Sequence, residues 1–306
     1  MSWKHSHLLG LRTLDKEDLA RILDKAAYLH SLYPDELPET TLQKKTLVHL
    51  FFEPSTRTRV SFDLAIKSLG ASSIQINMET SSVKKGESLY DTVKNLEAMG
   101  VHGFIVRHRH GGVAEFISKH VGIPVINAGD GFNEHPTQGL LDIFTMLQHT
   151  DTLAGKKVLI LGDIAHSRVA RSNIWGLTKL GAEVFVCGPP TLMPSGIEQL
   201  GVKIAPSLDK IIPELDFINV LRVQYERQEV QCIPSIREYR AFFCLTQERL
   251  KSAKKDLVIL HPGPINRGIE MDSDVVDGPH NVILDQVQNG IITRMAVLSL
   301  LLGKKS

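Results

Sequence analysis

The chain has 306 residues, 42% of them hydrophobic, and its 35 Lys and Arg nearly balance its 34 Asp and Glu. This length predicts a sizeable core, most simply divided between two domains of about 150 residues. The balanced charge excludes a broad basic field for nucleic acid, so any anion site must be a local cluster of cations.

Cysteines and apolar runs narrow the class of protein further. The three cysteines, Cys187, Cys232 and Cys244, have neither metal-binding nor redox spacing, and their odd number argues against a disulfide framework. No apolar run approaches the ~20 residues of a membrane span, and the N-terminus does not resemble a signal peptide. We therefore expect a cytoplasmic protein without membrane or nucleic-acid partners.

Apolar strands alternate with amphipathic helices along the chain. The predicted strands are 47–52, 74–78, 103–106, 125–127, 158–162, 183–187, 217–221 and 257–260. The predicted helices are 17–31, one beginning at Pro54, and then 89–99, 139–148, 168–180, 247–254 and 289–302. This alternation predicts an α/β fold with two domains, each a parallel β-sheet flanked by helices.

The most informative stretch follows the first predicted strand. Residues 53–59 read Glu-Pro-Ser-Thr-Arg-Thr-Arg, and apolar residues then recur at helical spacing up to Gly70. A helix that starts directly after a strand presents free backbone N–H groups, which bind anions. Donors suited to phosphate come from Ser55, Thr56, Arg57 and Thr58. An isolated match of this kind is equally compatible with a solvated basic helix start.

Polar clusters also follow other predicted strands. They are Arg107, His135 to Gln138, Asp163 to Arg168, Arg222 with Gln224, and His261 to Pro264. Ligands of open parallel sheets bind beyond the carboxyl ends of the strands. These clusters therefore predict a single active site in the cleft between the two domains.

The motifs argue against four other kinds of site. The strand at 158–162 resembles the opening of a dinucleotide-binding domain, but the glycines of G-x-G-x-x-G do not follow it. The sequence has no Walker pattern, no zinc-binding histidine pattern and no G-x-S-x-G nucleophile elbow. We expect neither cofactor nor metal, and we expect His135 to be a positioned hydrogen-bond donor.

Three motifs, in this order, resemble the aspartate/ornithine carbamoyltransferase family. They are Ser-Thr-Arg-Thr-Arg at 55–59, His-Pro-Thr-Gln at 135–138 and His-Pro-Gly-Pro at 261–264. The resemblance, which runs from Leu8 to the C-terminal helix, implies carbamoyl transfer from carbamoyl phosphate to an amino-acid amine. It also implies a carbamoyl-phosphate-binding domain at 1–135 and 286–306. An aspartate-binding domain would occupy 136–285 and begin with a bridging helix at 136–150.

The resemblance implies roles for individual residues. The phosphate would be held by Ser55, Thr56, Arg57, Thr58 and Arg107. The carbonyl oxygen would be met by Thr58, Arg107 and His135. The carbamoyl NH₂ would donate to Gln138 and to the backbone carbonyls of Pro262, Gly263 and Pro264. The expected catalytic residues are Arg57, Thr58, Lys85, Arg107, His135 and Gln138.

The acceptor site should distinguish two carboxylates. The resemblance assigns Arg168 to the α-carboxylate, and Arg222 with Gln224 to the side-chain carboxylate, whereas a structural salt bridge or a surface charge would explain each arginine alone. The last motif lacks the Cys usual in the ornithine branch, so aspartate is favoured. The product would be N-carbamoyl-L-aspartate, in the committed step of de novo pyrimidine biosynthesis. An ornithine or other amino-acid carbamoyltransferase, or an inactive scaffold paralogue, stays an alternative.

The polar segment at 80–88 resembles a family loop that crosses into the neighbouring subunit. Ser81 and Lys85 stand at its substrate-contacting positions, and Lys85 would also reach aspartate. The resemblance therefore implies a homotrimer with shared active sites. It leaves open whether a regulatory chain or a dihydroorotase binds as a partner.

Overall fold

Strands and helices alternate along most of the residues that the computed structural model describes, namely 3–34, 41–77, 86–223 and 235–303. The strands there are β1 Thr46–Phe51, β2 Ser72–Asn77, β3 Gly103–His108, β4 Val125–Asp130, β5 Lys157–Leu161, β6 Glu183–Cys187, β7 Lys203–Ile204, β8 Phe217–Val220 and β9 Val258–Leu260. The helices are α1 Lys16–Leu32, α2 Thr56–Ser68, α3 Leu89–Ala98, α4 Val113–Ser118, α5 Pro136–Leu147, α6 Arg168–Lys179, α7 Leu208–Ile211, α8 Ile236–Phe243, α9 Gln247–Leu250, α10 Ser273–Val276 and α11 Ile283–Leu302. None of these helices is both long and apolar enough to cross a membrane.

The first of two compact units comprises Met1–Leu141 and Val287–Ser306. Its four parallel strands are ordered β2-β1-β3-β4. The central strands are buried along almost their whole length, as expected for a parallel sheet covered on both faces. Helix α11 belongs to this unit from Val287 onward, and there the buried Arg294 donates to Ser61 Oγ at 3.0 Å and lies over the Phe62 ring.

The second unit comprises Asp142–Gln286. Its five parallel strands are ordered β7-β6-β5-β8-β9. The apolar interiors of β5, β8 and β9 are buried, and they form a hydrophobic core with the helices that follow β7. Two parallel-sheet α/β domains with flanking helices are therefore present, which confirms the predicted fold class.

Several element boundaries differ from the prediction. Pro54 precedes the helix, which begins at Thr56 with Ser55 as N-cap. Strand β7 was not predicted, because two exposed residues leave no apolar pattern. The helix predicted at 247–254 ends at Leu250. The predicted bridging helix was assigned wholly to the second domain. In the structure this helix is α5, and the boundary between the two units falls inside it, between Leu141 and Asp142.

Candidate active site

The start of helix α2 places hydrogen-bond donors at the edge of the first sheet where β1 ends. Ser55 has extended backbone angles and its side chain makes no capping hydrogen bond. No acidic residue lies in the first turn, so the positive end of the helix dipole is not offset there. Thr56 and Arg57 are exposed, whereas Thr58 is buried. This edge can therefore offer backbone N–H groups, hydroxyls and a guanidinium to one anion.

Arg107 lies beside this helix start because β3 pairs with β1. The register places Arg107 opposite Phe51, and the Phe52 N–H donates to the Arg107 carbonyl at 2.9 Å. The buried guanidinium donates to Glu53 Oε1 at 2.7 Å and to the Ala128 carbonyl at 3.1 Å. Glu53, which the sequence analysis did not assign a role, thus holds a predicted phosphate ligand at the sheet edge.

His135 follows β4, the strand next to β3, and immediately precedes α5. The loop before it is fixed by Asn127, whose amide donates to Asp130 Oδ1 at 2.6 Å. Glu134 accepts the Leu11 N–H at 2.6 Å, and a Cβ on Gly10 would lie only 2.2 Å from Glu134 Oε1. These contacts make His135 a rigidly placed, buried side chain.

Gln138 lies in the first turn of α5, after His135. Its N–H donates to the His135 carbonyl at 2.9 Å, and its side chain is half-buried. The predicted carbamoyl phosphate residues of the first unit therefore lie in or after the last residues of three neighbouring strands, β1, β3 and β4, at the edge where all three strands end. These residues share one edge of the sheet, and their binding of carbamoyl phosphate stays a prediction.

Arg168 is the first residue of α6 and follows β5. The helix is capped by Ser167, whose hydroxyl accepts the Ala170 N–H at 3.1 Å. Within the same turn, His166 Nδ1 lies 2.9 Å from the fully buried Asp163 carboxylate. Arg168 is itself buried, so its guanidinium is held at the carboxyl end of β5.

Arg222 and the last motif follow the adjacent strands β8 and β9. Arg222 is half-buried, as are Pro262 and Gly263, whereas Pro264 is exposed. The Gly263 N–H donates to His261 Nδ1 at 2.8 Å, which orders the backbone of the motif. Arg168, Arg222 and the predicted carbamoyl-binding carbonyls thus share one edge of the second sheet.

The buried carboxylate of Asp142 links elements that carry this edge of the second sheet. Asp142 Oδ2 accepts the amides of Asn173 at 2.7 Å and Asn219 at 2.9 Å, and Oδ1 accepts that of Gln286 at 2.7 Å. Gln286 in turn accepts the His261 N–H at 2.9 Å. Asp142 was not singled out in the sequence, because its partners are far from it along the chain.

Three predicted site residues, Ser81, Lys85 and Gln224, lie outside the described residues. Among the residues that are described, no group of three or more His, Cys, Asp or Glu side chains could hold a metal ion. Cys187 and Cys244 are buried, and burial raises the pKa of both thiols to about 11. Neither is therefore a thiolate nucleophile near neutral pH.

Comparison with known proteins decides the family. Residues 6–148 match "Aspartate/ornithine carbamoyltransferase, carbamoyl-P binding domain", and residues 154–301 match the corresponding "Asp/Orn binding domain". The chain belongs to the aspartate/ornithine carbamoyltransferase family. The predicted family is thereby confirmed, over essentially the whole chain.

Individual members of the family resemble the chain along its full length. The aspartate carbamoyltransferase catalytic subunit of Syntrophobacter fumaroxidans is 53% identical over 306 residues, which are 100% of both chains. Trypanosoma cruzi aspartate transcarbamoylase, solved with carbamoyl phosphate and aspartate, is 27% identical, with a TM-score of 0.88 and 98% of both chains covered. Pyrococcus furiosus ornithine carbamoyltransferase is 29% identical, with a TM-score of 0.88 and 100% of both chains covered. The backbone is therefore equally similar to both branches of the family, so the acceptor must be argued from side chains and sequence.

Proposed function

We propose that this family member transfers the carbamoyl group of carbamoyl phosphate to the amine of L-aspartate. The products are N-carbamoyl-L-aspartate and phosphate, in the committed step of de novo pyrimidine biosynthesis. The observation that carries the proposal is the convergence of the α2 start, Arg107 and His135 at the ends of three neighbouring strands. The name and 53% identity of the Syntrophobacter fumaroxidans relative support aspartate as the acceptor.

The first unit supplies what the leaving group needs. Negative charge grows on the phosphate as the carbamoyl carbon is attacked, and the α2 N–H groups, Arg57 and Arg107 lie where they can stabilise it. His135 donates to the carbonyl oxygen, on which charge also develops. Because an amine is itself a nucleophile, the reaction needs orientation of the two substrates and no covalent enzyme intermediate.

The second unit supplies the acceptor's ligands. Arg168 binds the α-carboxylate and Arg222 the side-chain carboxylate, each through the planar fork that suits a carboxylate. A cationic ornithine side chain would be repelled by Arg222. The predicted role of Gln224 in the same loop, and the predicted location of the site between the two domains, stay predictions.

The assembly is part of the proposal. Ser81 and Lys85 would enter the active site of the adjacent subunit, so that the active unit is a homotrimer. The relatives' name, catalytic subunit, is compatible with a separate regulatory chain. The cytoplasmic location expected from the sequence stays a prediction.

A product assay tests the proposal directly. Purified protein receives carbamoyl phosphate and L-aspartate without added metal or nucleotide, and carbamoyl aspartate is measured against a parallel reaction with L-ornithine. We expect product with aspartate and little with ornithine. Preference for ornithine would reverse the acceptor assignment. Absence of product with either amine at saturating substrate would identify an inactive paralogue and overturn the proposal.

A further inference from the structure

Val223, which directly follows Arg222, is fixed at three points. Its N–H donates to Glu270 Oε1 at 2.8 Å, and its carbonyl accepts from Asn266 Nδ2 at 3.3 Å. Its side chain is buried in a small apolar cluster with Leu192 and Tyr239. Both backbone polar groups and the side chain of this one residue are therefore held, which leaves the backbone beside Arg222 little freedom.

Asn266 and Glu270 form one unit, which we name the acceptor clamp. The Asn266 amide donates to Glu270 Oε1 at 2.7 Å, and the Asn266 N–H donates to Glu270 Oε2 at 2.6 Å. Glu270 is fully buried and accepts three N–H groups in total, counting that of Val223. A buried carboxylate is costly unless such bonds satisfy it, so it also constrains the groups that donate to it.

The acceptor clamp also adjoins the last motif. His261 Nε2 lies 3.8 Å from Glu270 Oε2, and both side chains are fully buried. The other ring nitrogen of His261 accepts the Gly263 N–H. One buried carboxylate thus lies between the loop that carries Arg222 and the loop whose carbonyls are expected to bind the carbamoyl group.

We propose that Asn266 and Glu270 are positioning residues for acceptor recognition. They fix the backbone conformation from which Arg222 presents its guanidinium group. This inference rests on the proposed function, in which Arg222 binds the side-chain carboxylate of the acceptor. A two-bond Arg–carboxylate pair depends on direction as well as distance. Without the clamp, Arg222 keeps its charge but loses its fixed direction, so a dicarboxylate acceptor binds more weakly.

Two variants test the acceptor clamp. Asn266→Ala removes the amide and leaves the Glu270 carboxylate in place. Glu270→Gln puts an NH₂ group where one of the accepted N–H groups needs an oxygen. The matched control is Asn281→Ala, which removes another half-buried amide of the second unit, one that donates to the Val276 carbonyl and accepts the Ile283 N–H.

The measurements separate acceptor binding from stability. They are the KM for aspartate, the KM for carbamoyl phosphate, the dissociation constant of succinate in the presence of carbamoyl phosphate, and the Tm. Succinate is chosen because it has both carboxylates of aspartate and no amine to react. We expect both clamp variants to raise the aspartate KM and the succinate dissociation constant at least about tenfold. The carbamoyl phosphate KM should change less than about threefold, because the phosphate ligands belong to the first unit.

The control defines what a merely structural effect looks like. Asn281→Ala should lower the Tm while leaving the ratio of the two KM values unchanged. If Asn266→Ala and Glu270→Gln behave like this control, the inference is overturned. If Glu270→Gln does not fold, Asn266→Ala alone decides, since it keeps the buried carboxylate. A wild-type protein that makes no carbamoyl aspartate would refute the proposed function and this inference with it. If the wild type is active but the clamp variants keep the wild-type ratio of the two KM values, only the inference is refuted.

Discussion

Arg57 is exposed in the first turn of α2, where the guanidinium can meet a phosphate without supporting the core. We predict that Arg57→Ala removes about 3 kcal/mol or more of transition-state stabilisation, as losing an oxyanion-site donor does. The measurement is kcat/KM, with Tm as the check on folding. Lys67→Ala, at the other end of the same helix, is the control and should keep full activity. Unchanged kcat in Arg57→Ala would show that this helix start is not the phosphate site.

Arg222 gives the matching prediction for the acceptor. Arg222→Ala should raise the KM for aspartate far more than the KM for carbamoyl phosphate, because the side-chain carboxylate loses its partner. Arg267→Ala is the matched control, since this exposed arginine of the same unit pairs with Asp277 at 2.8 Å. Equal increases in both KM values for Arg222→Ala would contradict its assignment. Asparagine should be a poor acceptor for the wild type.

At the scale of a strand, β1 carries a buried histidine. His49 is 1% exposed between Phe51 and Phe62, and burial lowers its pKa to about 4. The unfolded chain binds a proton at this residue below about pH 6.5, whereas the folded chain does so only near pH 4. The free energy of unfolding should therefore fall as the pH drops between these values. The loss from His49 is about 2–3 kcal/mol between pH 7.5 and pH 4.5.

The measurement is urea unfolding of wild type and His49→Leu at both pH values. Carboxylates titrate in the same range, so the comparison between the two proteins isolates the histidine. The drop in the free energy of unfolding should be smaller in His49→Leu. Identical drops would mean that His49 does not contribute.

Asp142 joins four elements within the second unit's part of the chain, because it lies on α5 and accepts the amides of Asn173 on α6, Asn219 on β8 and Gln286 on α11. Asp142→Ala leaves these buried amides without that acceptor, and we expect a loss of at least about 3 kcal/mol in the free energy of unfolding. Asp142→Asn, which keeps one acceptor oxygen, should lose less. The exposed Asp151 provides the control, with little change expected for Asp151→Ala. A loss below about 1 kcal/mol for Asp142→Ala would contradict this account.

Elements with a long apolar pattern could be predicted, and long-range polar networks could not. The run at 47–52 followed by hydroxyl and guanidinium groups predicted β1, α2 and the anion site together, because all three signals are local. Strand β7 is too short and too exposed to leave such a signal. Glu270 and Asp142 bind groups tens to more than a hundred residues away, so their roles appear only once the sheet order is known.

At the scale of the whole molecule, the predicted homotrimer can be tested with two inactive proteins. Arg57→Ala and Lys85→Ala should each abolish activity, the first within its own subunit and the second through the neighbour. Each mixed trimer would contain one junction with Arg57 from one chain and Lys85 from the next. Equal random mixing after dissociation should then restore about a quarter of the sites. If Lys85 acted within its own chain, the mixture would stay inactive.

The first unit is built from two separate pieces of the chain, whereas the second unit is continuous. During synthesis, the strands β1 to β4 leave the ribosome before the second unit, whereas most of α11, with Arg294 on Ser61 and Phe62, leaves after it. At about 5–20 residues per second, roughly seven to thirty seconds separate the two pieces. The first unit is thus completed only after the second unit, although its synthesis begins earlier. Loss of residues 287–302 would consequently damage the first unit, most of which lies far from them along the sequence.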